Sequence, residues 1–223
     1  FIDIITSPSA VFRRRENSGF GLQLLIVTVL FAIILLGTKS LTQPVFDAEI
    51  SRQTAQLLKA HPEITADKIQ GRMAFGQQIA PFLIIVTIPI SIMLTGLVLW
   101  VVGKIFESKQ MAQAAIMVAT YAFVPRIIGT VVGALIAYFS SPERLTGAAR
   151  ITVSLGALLD PDTASPVLMA LLTRVDLFTL WQTVLLAIGL QVTGKVSKSS
   201  SYIAAALVWL IGALPTVIGA LQH

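Results

Sequence analysis

Residues 111–139 read MAQAAIMVATYAFVPRIIGTVVGALIAYF, an apolar run with a single charge, Arg126. A helix rises about 1.5 Å per residue, so roughly 20 apolar residues cross the hydrocarbon core of a bilayer. The run exceeds that length, and it lacks the alternation of apolar and polar residues that marks a barrel strand. It therefore predicts a membrane-spanning helix.

Small residues recur along this run at intervals of three and four, which places them on one helical face. Arg126 occupies the one gap in their series, and Gly129 and Gly133, the two glycines of the run, form a GxxxG motif. A face of this kind lets helix backbones approach closely where no hydrophobic effect acts between helices. The pattern predicts that this span is the central helix of a bundle and that the face is buried. The face consists of Ala112, Ala115, Ala119, Ala122, Gly129, Gly133 and Ala137.

The whole chain has the composition of a membrane protein. Of its 223 residues 55% are hydrophobic and 12% are charged, whereas a soluble domain has about 45–50% and about 25%. We predict an all-α polytopic bundle of five transmembrane helices, because lipid leaves the backbone of open strands unsatisfied. Residues 1–18 precede a membrane domain, 19–223, whose long loops are 39–78 and 140–176. The predicted spans are about 19–38, 79–102, 111–139, 177–194 and 201–221.

Lysine and arginine set the predicted orientation. Seven of them lie in three short segments on one side, and eight of the eleven acids lie on the opposite side. The positive-inside rule then places the N-terminus in the cytoplasm and the C-terminus outside. The net charge of +5 indicates a membrane surface rather than nucleic acid, because the basic residues adjoin the spans. They are Arg13, Arg14, Arg15, Lys104, Lys109, Lys195 and Lys198.

The N-terminal stretch has the features of an interfacial helix beginning at Ser7–Pro8. In that interpretation Arg13–Arg15 contact lipid headgroups while the neighbouring apolar side chains enter the acyl region. A simpler interpretation is a positively charged anchor for the first span, and the two are compatible. The apolar side chains are Ile2, Ile4, Ile5, Val11 and Phe12.

The sequence of the first long loop, 39–78, predicts a helical hairpin on the outer face of the membrane. Pro44 can begin one helix, His61–Pro62 ends it, and Thr65 can cap the next. His61 has no second histidine or cysteine nearby, so we interpret it as a loop residue rather than a metal ligand.

The second long loop contains helix starts at Ser141–Pro142 and Ser165–Pro166. Residues 151–159 are too short to span, so they lie in the interface or form a re-entrant segment. Asp160 and Asp162 flank a proline and favour a turn over a cation site. Asp176 is placed to cap the fourth span.

Arg126 leaves two interpretations open. It can stabilise a kink at Pro125, bonding to the Tyr121 carbonyl, Gln182 or Gln191, or extend to the outer interface. Alternatively it can bind an anion or lipid headgroup, or pair with an acid from a partner subunit, as intramembrane charges commonly do. Gln182 and Gln191 share nearly one face and can bond between helices. Kinks are predicted at Pro81, Pro89, Pro125 and Pro215.

Catalytic and cofactor motifs are missing from the sequence. It has no cysteine and two histidines, His61 and His223, neither within an apolar run. This excludes thiolate metal sites and a haem ligated by histidine within the bilayer. GxSxG, HExxH and P-loop motifs are absent. We therefore expect no enzyme activity, no cofactor and no metal.

Three segments of the chain form a recognisable combination: SPSAVF at 7–12, KQM at 109–111 leading to TYAFVP at 120–125, and DLFTLWQTVLLAIGL at 176–190. Together they resemble a bacterial member of the Yip family (Yip domain, Ypt-interacting type). The resemblance implies five spans and a cytoplasmic N-terminus. Eukaryotic members bind Rab-type GTPases and carry a longer N-terminal region and an Asp-Leu-Tyr-Gly-Pro signature. This chain shows neither, so GTPase binding is not implied.

These observations predict a non-enzymatic protein of the bacterial inner membrane. It would act by helix packing, as a membrane-organising module or as an accessory subunit of a larger complex. Its expected partners are lipids and a membrane protein or a second copy, with no nucleic acid. The alternative is a small transporter or channel for anions or lipid headgroups that uses Arg126, although five spans without an internal repeat are unfavourable to it.

Overall fold

A computed structural model describes residues 2–60, 66–141, 145, 147–161 and 163–221. Two 3₁₀ turns, Ala148–Ile151 and Leu155–Leu158, lie in the second long loop. The α-helices of the described residues are α1 Asp3–Thr6, α2 Pro8–Arg15, α3 Gly21–Ala60, α4 Ala66–Ile105, α5 Ala112–Ala122, α6 Val124–Phe139, α7 Pro166–Arg174, α8 Leu177–Gly194 and α9 Lys198–Leu221.

Within this described part, five helical stretches are long and apolar enough to cross a membrane. The predicted all-α bundle with five spans is therefore confirmed. The orientation of the termini stays a prediction. The stretches are Gly21–Arg52, Ile85–Ile105, Ala112–Phe139, Leu177–Gly194 and Lys198–Leu221.

Helix α5 forms the centre of the bundle. All its residues from Ala114 to Ala122 are buried, and it contacts α2, α3, α4, α6 and α8. Either lipid or protein can cover the apolar faces of a membrane helix, and around α5 protein covers them. Burial around α5 therefore extends well beyond the face of small residues.

Glycines on the neighbouring helices allow the close packing around α5. A Cβ atom added to Gly96 of α4 would lie 2.5 Å from the Ile116 Cα atom. A Cβ atom added to Gly189 of α8 would overlap the Val118 side chain. Both helices therefore pack against α5 at distances that only glycine permits.

The third span is broken where its proline lies. Phe123, between α5 and α6, is in a turn, and Pro125 occupies the first turn of α6. Proline has no N–H group, so it is tolerated at a helix start, where that donor would have no partner in the helix.

Helices α3 and α4 extend far beyond a bilayer. Each contains 40 residues, which corresponds to about 60 Å, roughly twice the hydrocarbon thickness. The predicted hairpin on the first loop is therefore formed by extensions of two spans, and its turn, with His61, lies outside the described residues. We call the helical part of the predicted first loop, residues 39–60 of α3 and 66–78 of α4, the arm. The apolar stretch Gly21–Arg52 is longer than one bilayer crossing, so its last residues belong to the arm.

Pro44 does not begin a separate helix, and that prediction was wrong. It lies inside α3, where the adjacent Val45 is fully buried against Ala137 of α6 and Leu145. Tertiary packing thus holds the helix continuous through the proline. Pro215 likewise lies inside α9, and Pro81 and Pro89 lie inside α4.

The base of the arm is tied to the second long loop. Arg52 of α3 donates to the Pro161 carbonyl (2.9 Å) and forms an ion pair with Glu49 (2.7 Å). Glu49 also accepts a bond from the Ala148 amide. These contacts brace α3 against the loop that precedes α7.

The N-terminal helices pack against protein as well as facing outward. Ile4, Val11 and Phe12 are buried in the main core, and α2 contacts α8. The prediction that these three side chains enter the lipid was wrong, because they pack into the apolar core of the protein instead. Ile2 and Ile5 are exposed.

Candidate functional site

Two crevices meet at Arg126, in the middle of the third span. One, of about 380 Å³, lies between α3, α6 and the second long loop. The other, of about 350 Å³, lies between α4, α8 and α9. We call them the loop crevice and the α9 crevice. Arg126 lines both and its side chain is exposed, so its guanidinium is available to whatever enters them.

Arg126 is held by a short polar chain at the start of α8. Its Nη1 atom donates to Thr179 Oγ1 (3.0 Å), and that hydroxyl donates to Asp176 Oδ1 (3.3 Å). Asp176 also accepts bonds from the amides of Phe178 and Thr179, both 3.0 Å long. Asp176 therefore caps α8, as predicted. Its negative charge interacts favourably with the positive end of the helix dipole.

A second arginine lines the α9 crevice. Arg174, the last residue of α7, donates to the Trp209 carbonyl (3.3 Å), and its guanidinium lies 5.8 Å from the centre of that indole ring. Burial lowers the pKa of Arg174, the nearby Arg126 charge lowers it further, and Asp176 opposes both effects. An arginine side chain nevertheless stays charged, so two cations share one crevice.

Arg174 lies outside the predicted spans, in the second long loop, so its sequence position gives no signal for this site. Ser165 caps α7 as predicted, accepting a bond from the Leu168 amide. The packing of α7 against α9 then places its last residue in the crevice that Arg126 also lines, an arrangement that no local pattern indicates.

The other predicted polar residues are placed differently. Gln182 lines the α9 crevice, whereas Gln191, half-buried, lies outside the lining of both crevices. The guanidinium of Arg126 donates a hydrogen bond to Thr179, which was not among its predicted partners.

The face of small residues is largely covered by protein. Ala115, Ala119 and Ala122 are fully buried. Gly129 lies so close to α8 that an added Cβ atom would be 2.7 Å from the Phe178 ring. Along the face Ala112 and Gly129 are half-buried, and Gly133 and Ala137 are buried.

The N-terminal arginines lie at the opposite end of the bundle from the arm. Arg14 pairs with Asp3 (2.8 Å), and this hydrogen bond and charge hold the pKa of that carboxyl below its ordinary value. Arg13 and Arg15 are exposed, where headgroups can reach them.

No group of three or more metal-ligating side chains occurs among the residues the structure describes. Asp162, from the predicted turn, and the predicted helix start at Pro142 lie outside them. The backbone carbonyl of Asp160 accepts hydrogen bonds from the amides of Thr163 and Ala164. These bonds form the predicted turn.

Comparison with known proteins supports one family. The Yip1 domain profile matches residues 2–219. Membrane protein YknW of Bacillus subtilis (strain 168) is 28% identical over 210 residues, covering 92% of this chain and 83% of that protein. No solved structure matches significantly. The comparisons give no support to the transporter alternative.

Proposed function

Because this chain belongs to the Yip1 domain family and is an integral bacterial membrane protein, we propose that it is a non-enzymatic accessory subunit of a larger complex in the inner membrane. The packed five-span body would hold the arm at one face of the bilayer. A partner membrane protein, or a second copy, would bind that arm.

The arm is the observation that carries this proposal. Spanning the bilayer needs about half the length of α3 or α4, so roughly 20 residues of each extend outside it. Helices of this kind need packing partners, because short isolated helices are marginal in water. The ion pair and hydrogen bond of Arg52 brace the base of the arm, which favours a rigid projection.

Site-specific photocrosslinking tests the proposal. A photoreactive residue replaces the exposed Ser51 of the arm, and a matched one replaces Leu36, exposed in the membrane-spanning part of the same helix. At native expression, Ser51 should give one discrete adduct with a membrane protein or a second copy, and Leu36 should not.

The complex is then isolated in mild detergent. Co-purification of the same protein, reduced by Arg52→Ala, would support the accessory role. A chain that stays monomeric in mild detergent and gives no adduct from Ser51 would contradict it.

A further inference from the structure

The α9 crevice concentrates positive charge. Arg126 and Arg174 both line it, and none of its described lining residues is Asp or Glu. Asp176, the acid that partly offsets them, lines the loop crevice instead. Its Oδ1 atom already accepts two amide bonds and one hydroxyl bond. The α9 crevice therefore holds two cations without an acid of its own.

Hydrogen-bond donors remain available on these cations. Arg126 is exposed, and the Arg174 Nε atom is buried without a hydrogen-bond partner. Gly212 gives the Arg174 guanidinium room on α9, because a Cβ atom there would lie 2.7 Å from its Nη2 atom. A buried donor without a partner is unfavourable, so the surroundings of Arg174 do not fully satisfy its guanidinium.

The walls of the crevice on α4 and α9 carry both polar side chains and exposed apolar side chains. Ser91 and Thr95 of α4 line the crevice and donate their hydroxyl protons to carbonyl groups of their own helix. Their hydroxyl protons are therefore already used, and anion binding falls to the arginines. Leu94 and Ile211, both exposed, border the same crevice. Its mouth is therefore continuous with the apolar surface of the spans.

We propose that the α9 crevice binds a phosphate-type anionic group through Arg126 and Arg174. A guanidinium binds phosphate oxygens with two parallel hydrogen bonds, and a crevice of about 350 Å³ is of the size that encloses small ligand groups. The phosphate can belong to a lipid headgroup whose acyl chains leave past Leu94 and Ile211, or to a free anion. The apolar mouth favours the lipid.

Native mass spectrometry of the full chain tests this proposal. The protein is equilibrated in detergent with equal amounts of a phosphatidylglycerol and a phosphatidylcholine that have the same acyl chains. We expect one bound phosphatidylglycerol, preferred at least tenfold, because the choline cation of the other headgroup is repelled by two arginines in a crevice whose described lining contains no acid. Arg126→Gln and Arg174→Gln should each reduce its retention at least tenfold. Lys109→Gln, which removes an exposed charge at the other end of the bundle, should not.

A second measurement distinguishes the two sources of phosphate. Inorganic phosphate is compared with chloride at equal ionic strength by thermal unfolding of the same variants. A rise in Tm with phosphate that Arg126→Gln abolishes indicates a free anion, whereas lipid retention without such a rise indicates a headgroup. Thr95→Trp fills the crevice without changing its charge and should block either ligand, so the test stands if an arginine variant fails to fold.

Unchanged retention in the arginine and tryptophan variants would overturn the proposal. So would equal retention of both lipids without any effect of inorganic phosphate on Tm, and so would an equal loss in Lys109→Gln. If Arg126→Gln instead releases a co-purified membrane protein and affects neither ligand, the arginines pair with a partner's acid and the proposal is wrong.

Discussion

The Nη1 atom of Arg126 donates a 3.0 Å hydrogen bond to the hydroxyl of Thr179, which joins the third span to the first turn of α8. The same hydroxyl contacts Asp176, the residue that caps α8. A single carboxylate thereby supports a helix start and the position of an arginine in the membrane. The stability of α8 and the charge balance at the two crevices are therefore linked.

Replacing Asp176 separates these two roles. Asp176→Ala removes both the cap and the charge, whereas Asp176→Asn removes only the charge, because asparagine is also a good N-cap. We expect Asp176→Ala to lower the free energy of unfolding by about 1 kcal/mol more than Asp176→Asn, measured by denaturation in detergent. Equal stability of the two variants would show that the cap contributes nothing.

The spans could be predicted from the sequence because lipid imposes a simple rule. A run such as 177–194 is apolar over the length of a bilayer crossing, and a backbone in hydrocarbon has to bond to itself. Asp176 and Ser165 were also predictable, because capping depends on residues within one turn of each other.

Contacts between distant segments could not be predicted. Arg174 and Arg126 line the same crevice because α7 packs against α9, and Phe12 is buried because α2 packs against α8 and α5. The same limit applies to Pro44, where local chemistry predicts a helix start but Val45 packs against α6. Each outcome depends on tertiary packing, which a single sequence does not encode in a local pattern.

Close packing at Gly96 predicts a large effect for one added methyl group. In Gly96→Ala the new Cβ atom would meet the Ile116 backbone, so α4 and α5 must separate. Overpacking of this kind costs about 1–3 kcal/mol. A lower Tm in detergent, by differential scanning fluorimetry, is the expected result.

Gly37→Ala is the matched control for that substitution. An added Cβ atom at Gly37 meets nothing within 4 Å, and alanine is favoured over glycine in a helix by about 0.5–1 kcal/mol. Its Tm should stay equal or rise. If Gly96→Ala were as stable as Gly37→Ala, the close approach of α4 to α5 would be wrong.

The contacts of Arg52 and Glu49 should restrict local opening of the second long loop at 147–161, which they hold against the base of the arm. Removing a half-buried charged contact costs about 1 kcal/mol, so Arg52→Ala should speed hydrogen exchange of residues 147–161 roughly fivefold. Arg52→Lys keeps the charge without the planar fork and should be intermediate. Lys39→Ala, an exposed change on the same helix, should leave exchange unchanged, and an equal effect there would contradict the brace.

Single cysteines can test the predicted orientation, because the natural sequence has none. Ser51→Cys on the arm should react with a membrane-impermeant thiol reagent in intact cells, since the positive-inside rule places the arm outside. Asn17→Cys and Ser199→Cys, both exposed at the opposite end, should react only after permeabilisation. The reverse pattern would place the arm in the cytoplasm, where its partner would then have to be sought, and would show that the seven basic residues do not set the topology.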